Sequence, residues 1–255
     1  MRDVPTQSPT RESMPGARQA PGVAVGRSLL PSPEEWAVRN RVLASNLAEL
    51  LNSHAPNLTG RALEIGCQWG LLLDAMAPLT TKRWWGADPV IHRHLSRSGF
   101  ELVRGLADQL PLPDGAFDCV VLANVYEHIV PDQRDASLVE IGRVLAPGGV
   151  LVGQLPNPRF PIESHSKLPF MGWLPRGAQD RYWALSPSRR GAGFYSVTIR
   201  DLRRRATAAG FEAVLIRNFN YPAEAAPQSI RWLVKLLRRP LAVMPWAWQF
   251  VFRRQ

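Results

Sequence analysis

The chain of 255 residues lacks features that mark several protein classes. Cysteine occurs only twice, as Cys67 and Cys119 within apolar stretches, which argues against a disulfide framework and for a cytoplasmic setting. No run reaches the ~18 uninterrupted apolar residues of a membrane-spanning helix. The first residues carry no apolar signal-peptide region. No cysteines and histidines cluster at metal-ligand spacing, so we expect no metal site.

Positive charge is concentrated in the C-terminal third. Residues 176–255 hold 15 Lys+Arg against 4 Asp+Glu, whereas residues 1–175 hold 16 against 17. Within this third, residues 226–246 form a basic amphipathic segment with Trp232 and Leu236 on one helical face. The pattern predicts either contact with a membrane surface through 230–246, at the inner membrane face, or an ordinary helix that packs on the sheet with solvated arginines.

The chain divides into a tail and one domain. Residues 1–31 contain five prolines and no hydrophobic period, which predicts a disordered tail. Ser32 and Pro33 have the character of an N-cap and a first helical residue, so a helix is expected from there to about His54. Residues 32–255 are long enough for one α/β domain with a substantial core.

The segment 61–70 has the pattern of a strand, a glycine turn and the start of a helix. Apolar residues precede Gly66, and a helical pattern follows Gly70. This arrangement places backbone N–H groups at the carboxyl edge of a sheet, where nucleotide-like ligands bind. Glu64 at the strand end would repel a pyrophosphate but attract a cationic amino-acid group. The G-x-G-x-x-G of dinucleotide sites is absent.

The spacing Glu-x-Gly-x-x-x-Gly resembles the first motif of the class I S-adenosylmethionine-dependent methyltransferases, (Glu/Asp)-x-Gly-x-Gly-x-Gly. The resemblance implies a doubly wound, mostly parallel seven-stranded α/β sheet of Rossmann-like type, with S-adenosylmethionine as cofactor. It places Glu64, Gly66, Cys67 and Gly70 at the cofactor. Gln68 stands where the family has its middle glycine, and it would fit if its φ is negative and its side chain points away.

Further motifs follow in the order of that family. A second strand ends at Asp88, a position at which a carboxylate binds a ribose diol in doubly wound folds; a turn Asp before Pro89 is the alternative. The resemblance places Ala107 and Asp108 near the adenine. The apolar run 117–124 predicts a buried parallel strand, which ends at Asn124 in the cofactor cleft. Residues 146–149, Ala-Pro-Gly-Gly, match the turn before the next strand.

The Pro-rich and aromatic segment 156–196 interrupts this pattern. Its prolines predict a structureless stretch, and its aromatic residues favour a lid or substrate-binding insertion over the sheet edge. The segment resembles insertions in bacterial methyltransferases associated with cell-surface glycans and lipids. The domain as a whole resembles the small-molecule, ubiquinone-biosynthesis-like group of the family.

Histidines are the predicted catalytic residues. Methyl transfer from a sulfonium requires alignment and exclusion of water, and a hydroxyl acceptor also requires a general base. His165 in the insertion and His128 after the fourth strand are the candidate bases. Glu127, Glu163 and Tyr182 are candidate helpers.

The predicted function is methyl transfer to a small-molecule, lipid or glycan acceptor, with oxygen weakly preferred. A nicotinamide oxidoreductase is disfavoured by Glu64. A nucleic-acid methyltransferase is an alternative suggested by the positive charge. Nucleic acid is nevertheless disfavoured as a partner, because the (Asn/Asp)-Pro-Pro-(Tyr/Phe) motif of base-modifying enzymes is absent after the fourth strand. A non-catalytic, membrane-associated protein that keeps the fold remains an alternative because of Gln68.

Overall fold

The structure is a computed structural model that describes most of the predicted domain. It covers residues 33–55, 60–68, 70–91, 100–166, 168–186, 195–225, 231–236 and 244–255. The predicted tail 1–31 and the greater part of the segment 226–246 lie outside the described residues, so those two predictions stay predictions.

The described chain contains seven strands and six α-helices. The strands are β1 Arg61–Ile65, β2 Arg83–Asp88, β3 Glu101–Arg104, β4 Phe117–Ala123, β5 Leu145–Pro156, β6 Phe211–Phe219 and β7 Ala247–Arg254. The helices are α1 Pro33–His54, α2 Leu71–Met76, α3 Arg134–Val144, α4 Arg176–Trp183, α5 Ile199–Ala208 and α6 Arg231–Leu236. The α1 helix begins and ends close to the predicted positions.

The strands form one sheet in the order β3-β2-β1-β4-β5-β7-β6. The first five are mutually parallel, and β7 runs antiparallel to both β5 and β6. The chain order reverses between β1 and β4, so the carboxyl ends of these two strands border the crevice in which doubly wound folds bind ligands. The predicted doubly wound, mostly parallel, seven-stranded sheet is confirmed.

Apolar residues cover both faces of the sheet. One core joins the sheet to α3 and α5 through Leu138, Ile141 and Leu202, and the other joins it to α1 and α2 through Leu47 and Leu73. The central strand β4 is buried at every position from Phe117 to Leu122. Continuous burial on two faces explains why its sequence is an apolar run rather than an alternation.

The insertion 156–196 is more regular than its sequence predicts. The structureless stretch expected from its prolines contains α4 and a short 3-10 turn, Met171–Trp173. Pro175 directly precedes α4, where its lack of an N–H costs nothing, because the first helical N–H groups have no intrahelical partner. The prolines therefore set the boundaries of the helix instead of preventing it.

No helix within the described residues combines the length and the hydropathy needed to cross a lipid bilayer.

Candidate active site

A cavity of about 400 Å³ opens at the carboxyl ends of β1, β2 and β4. Its walls bring together residues from four elements that are distant in sequence. They are Asn40, Leu43, Glu64, Gly66, Cys67, Gln68, Leu71, Leu72, Asp88, Pro89, Ala123, Asn124, Val125 and His128. The predicted cofactor residues Glu64, Gly66, Cys67, Asp88 and Asn124 are thus gathered at one site.

Glu64 presents a buried carboxyl group at the end of β1. Its side chain is 5% exposed, and one oxygen, Oε2, has no hydrogen-bond partner among the described residues. Burial, followed by the charge of Asp88, raises the pKa of Glu64 to about 8, although the Leu73 backbone N–H donates to the carboxyl and opposes the shift. A buried acidic group with an unsatisfied oxygen is suited to a cationic ligand in the cavity.

Asp88 is fixed at the end of β2 by the backbone of two loops. The N–H of Gln68 donates to its Oδ2 over 2.9 Å, and the N–H of Val90 donates to its Oδ1 over 2.9 Å. Both oxygens keep a lone pair for a further donor. The carboxylate is therefore oriented before any ligand arrives, as recognition of a vicinal diol requires.

The turn between β1 and α2 depends on positive backbone angles. Gly66 has φ +76, and a side chain there would come within 2.5 Å of Val125. Gln68 also lies in the left-handed region, with φ +43, so the condition of a negative φ at this position is not met. In this conformation the backbone N–H of Gln68 donates a hydrogen bond to Asp88, and the Gln68 side chain is exposed.

Asn124 is held at the end of β4 with φ +56. The buried amide of Gln154 on β5 donates to Asn124 Oδ1 over 3.1 Å and to the hydroxyl of Tyr221 over 3.3 Å. Gln249 on β7 donates in turn to Gln154 Oε1 over 3.4 Å. This polar chain runs through the sheet and was not predicted; the only sequence signal is a glutamine within each of two apolar strands.

The α1 helix supplies one wall of the cavity. Asn40 and Leu43 line it, and the neighbouring Arg39 stacks over the rings of Tyr221 and Trp246 at 4.6 and 4.9 Å from their centroids. These contacts tie the helix to the last strands of the sheet.

Both predicted catalytic histidines lie together beside the cavity. His128 lines the cavity, and its ring centroid lies 5.1 Å from that of His165 in an edge-to-face arrangement. His165 Nδ1 lies 2.9 Å from Glu163 Oε1, and His165 Nε2 lies 3.9 Å from Glu127 Oε1. Glu163 is fixed by the backbone N–H groups of His165 and Ser166.

The two glutamates of this cluster differ in their surroundings. Glu127 is 1% exposed, and neither of its carboxyl oxygens has a hydrogen-bond partner within the described chain. Burial raises its pKa to about 7 against the opposing charge of His165. Burial by itself would also raise the pKa of Glu163. The hydrogen bonds and the charge of His165 outweigh this effect and lower the pKa of Glu163 to about 2.

Of this cluster only His128 lines the cavity, and four further predicted residues also lie outside its walls. Gly70 adopts φ +67 at the start of α2 and shapes the turn without lining the cavity. Ala107 packs against the core, and Asp108 is half-buried in the loop after β3. Tyr182 lines a separate depression of about 610 Å³ on α4. The predicted adenine contacts of Ala107 and Asp108 therefore stay predictions.

Comparison with known proteins decides the family. Residues 36–216 match the family described as a methyltransferase domain. The chain belongs to this family. The membership confirms the resemblance to the S-adenosylmethionine-dependent methyltransferases of class I that the motifs from Glu64 to Gly149 carried.

Individual relatives of this methyltransferase act on different acceptors. The chain is 38% identical over 96 residues to the ubiquinone/menaquinone biosynthesis C-methyltransferase UbiE of Hahella chejuensis, covering 34% of this chain and 38% of that protein. It is 35% identical over 109 residues to the fatty-acid O-methyltransferase of Mycolicibacterium smegmatis, covering 40% and 39%. The chain thus spans less than half the length of either relative.

A solved structure supports the fold. The 1,6-didemethyltoxoflavin-N1-methyltransferase of Burkholderia thailandensis, determined with bound S-adenosylhomocysteine, superposes with a TM-score of 0.54 at 15% identity. The superposition covers 91% of this chain and 94% of that one. At this identity the likeness concerns the fold alone.

Proposed function

We propose that the protein binds S-adenosylmethionine in the cavity and transfers its methyl group to a small-molecule, lipid or glycan acceptor, preferably to oxygen. The observation that carries this proposal is the pair of buried carboxyl groups, Glu64 and Asp88, at neighbouring strand ends. One has an unsatisfied oxygen suited to a cation, and the other is oriented for a diol. S-adenosylmethionine offers an ammonium group and a ribose.

Each wall of the cavity has a role in this proposal. Glu64 binds the ammonium group, and Asp88 accepts the two ribose hydroxyls. The backbone turn of Gly66 and Cys67 packs against the cofactor, and burial raises the pKa of the Cys67 thiol to about 12, so it remains a neutral, small wall residue. Asn124 closes the opposite wall. The adenine extends toward the loop of Ala107 and Asp108, beyond the cavity walls.

His165 and His128 are the proposed catalytic residues. They lie where the insertion meets the cavity, so an acceptor that enters under the insertion reaches them beside the cofactor. The Glu163 carboxylate next to His165 Nδ1 orients that ring, as a carboxylate does for histidines that act on hydroxyl groups. Their task is to activate an acceptor hydroxyl for attack on the methyl carbon.

The acceptor is proposed to be at least partly apolar. Large apolar side chains of the insertion, Phe170, Trp173 and Leu185, are more than half exposed. On α6, Trp232 and Leu236 are exposed beside Lys235. These surfaces support delivery of a lipid-linked acceptor from a membrane surface, and two relatives carry names that refer to quinone and fatty-acid substrates.

Calorimetric titration with S-adenosylmethionine tests the proposal, with a nicotinamide dinucleotide as the control ligand. Binding of the first ligand alone, lost in Glu64→Ala and Asp88→Ala variants that keep their far-ultraviolet circular dichroism, is the expected result. Absence of binding in the folded wild-type protein would favour a non-catalytic role, which the left-handed Gln68 supports.

A screen with methyl-labelled cofactor then identifies the acceptor, starting from lipid-linked sugars, quinone precursors and fatty acids. With an acceptor in hand, His165→Ala should lower turnover by about 100-fold or more while cofactor affinity is unchanged, because the side chain acts on the acceptor rather than on the cofactor. Normal turnover in this variant would remove His165 from the catalytic site. His54→Ala, a change at the end of α1, is the matched control.

A further inference from the structure

One cluster beside the cavity contains more polar groups than methyl transfer alone requires. Glu127 and His128 belong to the 3-10 turn Tyr126–His128 that follows β4, and His165 comes from the insertion after β5. Each residue offers one ligand atom, and these three atoms lie within 4.8 Å of one another. The fold thus brings together residues whose sequence spacing predicted no metal site.

The buried carboxyl group of Glu127 is the second observation. Both of its oxygens lack a hydrogen-bond partner within the described residues, although the side chain is 1% exposed. A buried, unsatisfied carboxyl group is costly unless a cation or a donor compensates it. Arg134 lies near enough to act on Glu127 through its charge, but its guanidinium donates to the carbonyl groups of Ile129 and Tyr195 instead.

Glu163 gives His165 the orientation of a metal ligand. Its Oε1 lies 2.9 Å from His165 Nδ1, which leaves Nε2 as the ring atom that faces Glu127. Metal-binding histidines are characteristically held by such a carboxylate at the other ring nitrogen, which fixes the tautomer and raises the basicity of the ligand nitrogen.

We propose that Glu127, His128 and His165 bind one divalent transition-metal ion of the zinc type beside the cofactor cavity, which His128 lines. Two imidazoles and one carboxylate form the ligand set of catalytic zinc sites that keep an open position. Magnesium prefers oxygen ligands in octahedral geometry and does not suit this set. The insertion therefore completes an ion site in addition to covering the cavity.

Binding requires a small contraction of the cluster. Bonds of about 2.0–2.2 Å to zinc place tetrahedral ligand atoms roughly 3.3 Å apart. The distance from Glu127 Oε1 to His165 Nε2 is 3.9 Å. His165 lies on the insertion loop, whereas Glu127 and His128 directly follow the central strand β4, so His165 is the ligand that moves.

The role of the ion rests on the proposed function and specifies how the two histidines act. An acceptor hydroxyl takes the open position, its pKa falls, and its proton leaves to water. The oxygen then forms its bond to the methyl carbon while the carbon–sulfur bond breaks and its electron pair stays on sulfur. With the ion bound, the histidines are ligands and no longer accept the proton themselves.

Metal binding by the full-length protein, stripped with a chelator, tests the inference without any acceptor. Titration with Zn²⁺ and with Co²⁺ should give one ion per chain, and Co²⁺ should show the visible absorption of a four- or five-coordinate site; Mg²⁺ should not compete. His165→Ala and Glu127→Gln should each weaken binding by at least about 100-fold, and Glu163→Gln by about 10- to 100-fold.

The controls separate this site from adventitious binding. His54→Ala and the double variant His92→Ala/His94→Ala remove the other three histidines of the chain and should leave the affinity unchanged. Loss of binding in either control variant with retention in His165→Ala and Glu127→Gln would overturn the inference, as would absence of stoichiometric binding. The affinity of the metal-free protein for S-adenosylmethionine is measured in a separate titration. Loss of cofactor binding would contradict the proposed function, whereas loss of metal binding would contradict the ion site alone.

Discussion

Burial in the fold raises the pKa of Glu64 to about 8, against an ordinary value of 4.5. Burial is the main cause, and the neighbouring Asp88 adds to it. Because the folded chain keeps this proton after the unfolded chain has released it, the Glu64 contribution to the free energy of unfolding falls as the pH rises from 4.5 to about 8. The buried Glu64 carboxyl group is thus suited to a cationic ligand, but its burial lowers the free energy of unfolding.

The variant Glu64→Gln tests this cost. Urea unfolding between about pH 5 and about pH 8 should give a weaker decline in the free energy of unfolding for the variant than for the wild type, because the amide does not titrate. Parallel pH dependences for the two proteins would contradict the raised pKa.

The same variant should lose affinity for S-adenosylmethionine. Replacing a charge-assisted hydrogen bond by a neutral one removes ~1.5–3 kcal/mol at most, so the dissociation constant should rise by about 10- to 100-fold. Calorimetry at pH about 7 measures the change. Asp74→Asn, an exposed acidic position on α2, is the matched control and should bind normally.

Gln68 carries a backbone conformation that a side chain disfavours. Its φ of +43 lies in the left-handed region, where a residue with a Cβ is less stable than glycine by roughly 1–2 kcal/mol. We expect Gln68→Gly to raise the free energy of unfolding by up to ~1 kcal/mol after the greater flexibility of the unfolded chain is subtracted. Gln68→Ala removes the same side-chain atoms but keeps the Cβ, and it should give no such gain in urea unfolding.

Some features of the site could be predicted from the sequence, and others could not. Glu64 and Asp88 could be placed from sequence because each ends an apolar strand, and parallel strands end at a common edge. The positive φ of Gln68 could not, because nothing in a single sequence distinguishes a tolerated left-handed residue from one with negative φ. Ala107 and Asp108 were placed by motif register, which fixes their loop but not their distance from the cavity.

At the scale of elements, strands β4, β5 and β7 are joined by side chains as well as by their backbones. Gln154 is fully buried and connects Asn124, Tyr221 and Gln249. If this amide is removed, its polar partners lose a hydrogen bond that water cannot replace, because the middle of the sheet is closed to solvent. The linkage holds the left-handed Asn124 against the cavity, so sheet packing and site geometry depend on one residue.

We expect Gln154→Ala to lower the free energy of unfolding by about 1–3 kcal/mol for the unsatisfied partners, with a further loss for the space it leaves. Cofactor affinity should fall with it because Asn124 loses its tether. Gln133→Ala, at an exposed position, should stay within about 0.5 kcal/mol of the wild type. Equal stability of the two variants in urea unfolding would show that the chain of amides does not stabilise the sheet.

On the scale of the whole molecule, the charge is asymmetric. The C-terminal third holds 15 Lys+Arg against 4 Asp+Glu, and α6 carries Arg231 and Lys235 beside the exposed Trp232 and Leu236. The α6 helix packs next to the turn Ala223–Ala225, which contacts α1, whereas α5 covers the opposite face of the sheet. Basic groups therefore lie on both faces, and α6 combines them with the exposed Trp232 and Leu236.

This combination predicts salt-sensitive binding to anionic vesicles. Arg231→Glu/Lys235→Glu should reduce cosedimentation with phosphatidylserine vesicles by roughly 10-fold or more, since each basic group near such a surface contributes about 1 kcal/mol. Arg203→Glu/Arg204→Glu makes the same change in net charge on α5 and should bind like the wild type. Equal losses in both variants would assign the effect to net charge alone, and the absence of vesicle binding by the wild type would contradict the membrane proposal.

The sequence alone determined the class of fold and the sheet edge at which the proposed cofactor site lies. Apolar runs that end in Glu64, Asp88 and Asn124, with glycine turns between them, specify parallel strands whose carboxyl ends meet, because the direction and burial of strands follow from local periodicity. These features need no knowledge of how distant loops fold.

Only the tertiary structure decided that Glu127, His128 and His165 lie together. The first two follow β4, and the third belongs to an insertion that follows β5 and has no periodic pattern. The conformation of that insertion is set by hydrogen bonds such as those of Glu163 to the backbone of His165 and Ser166, and by its packing on the sheet edge. Such contacts form between residues whose spacing in the chain carries no signal of their distance in space.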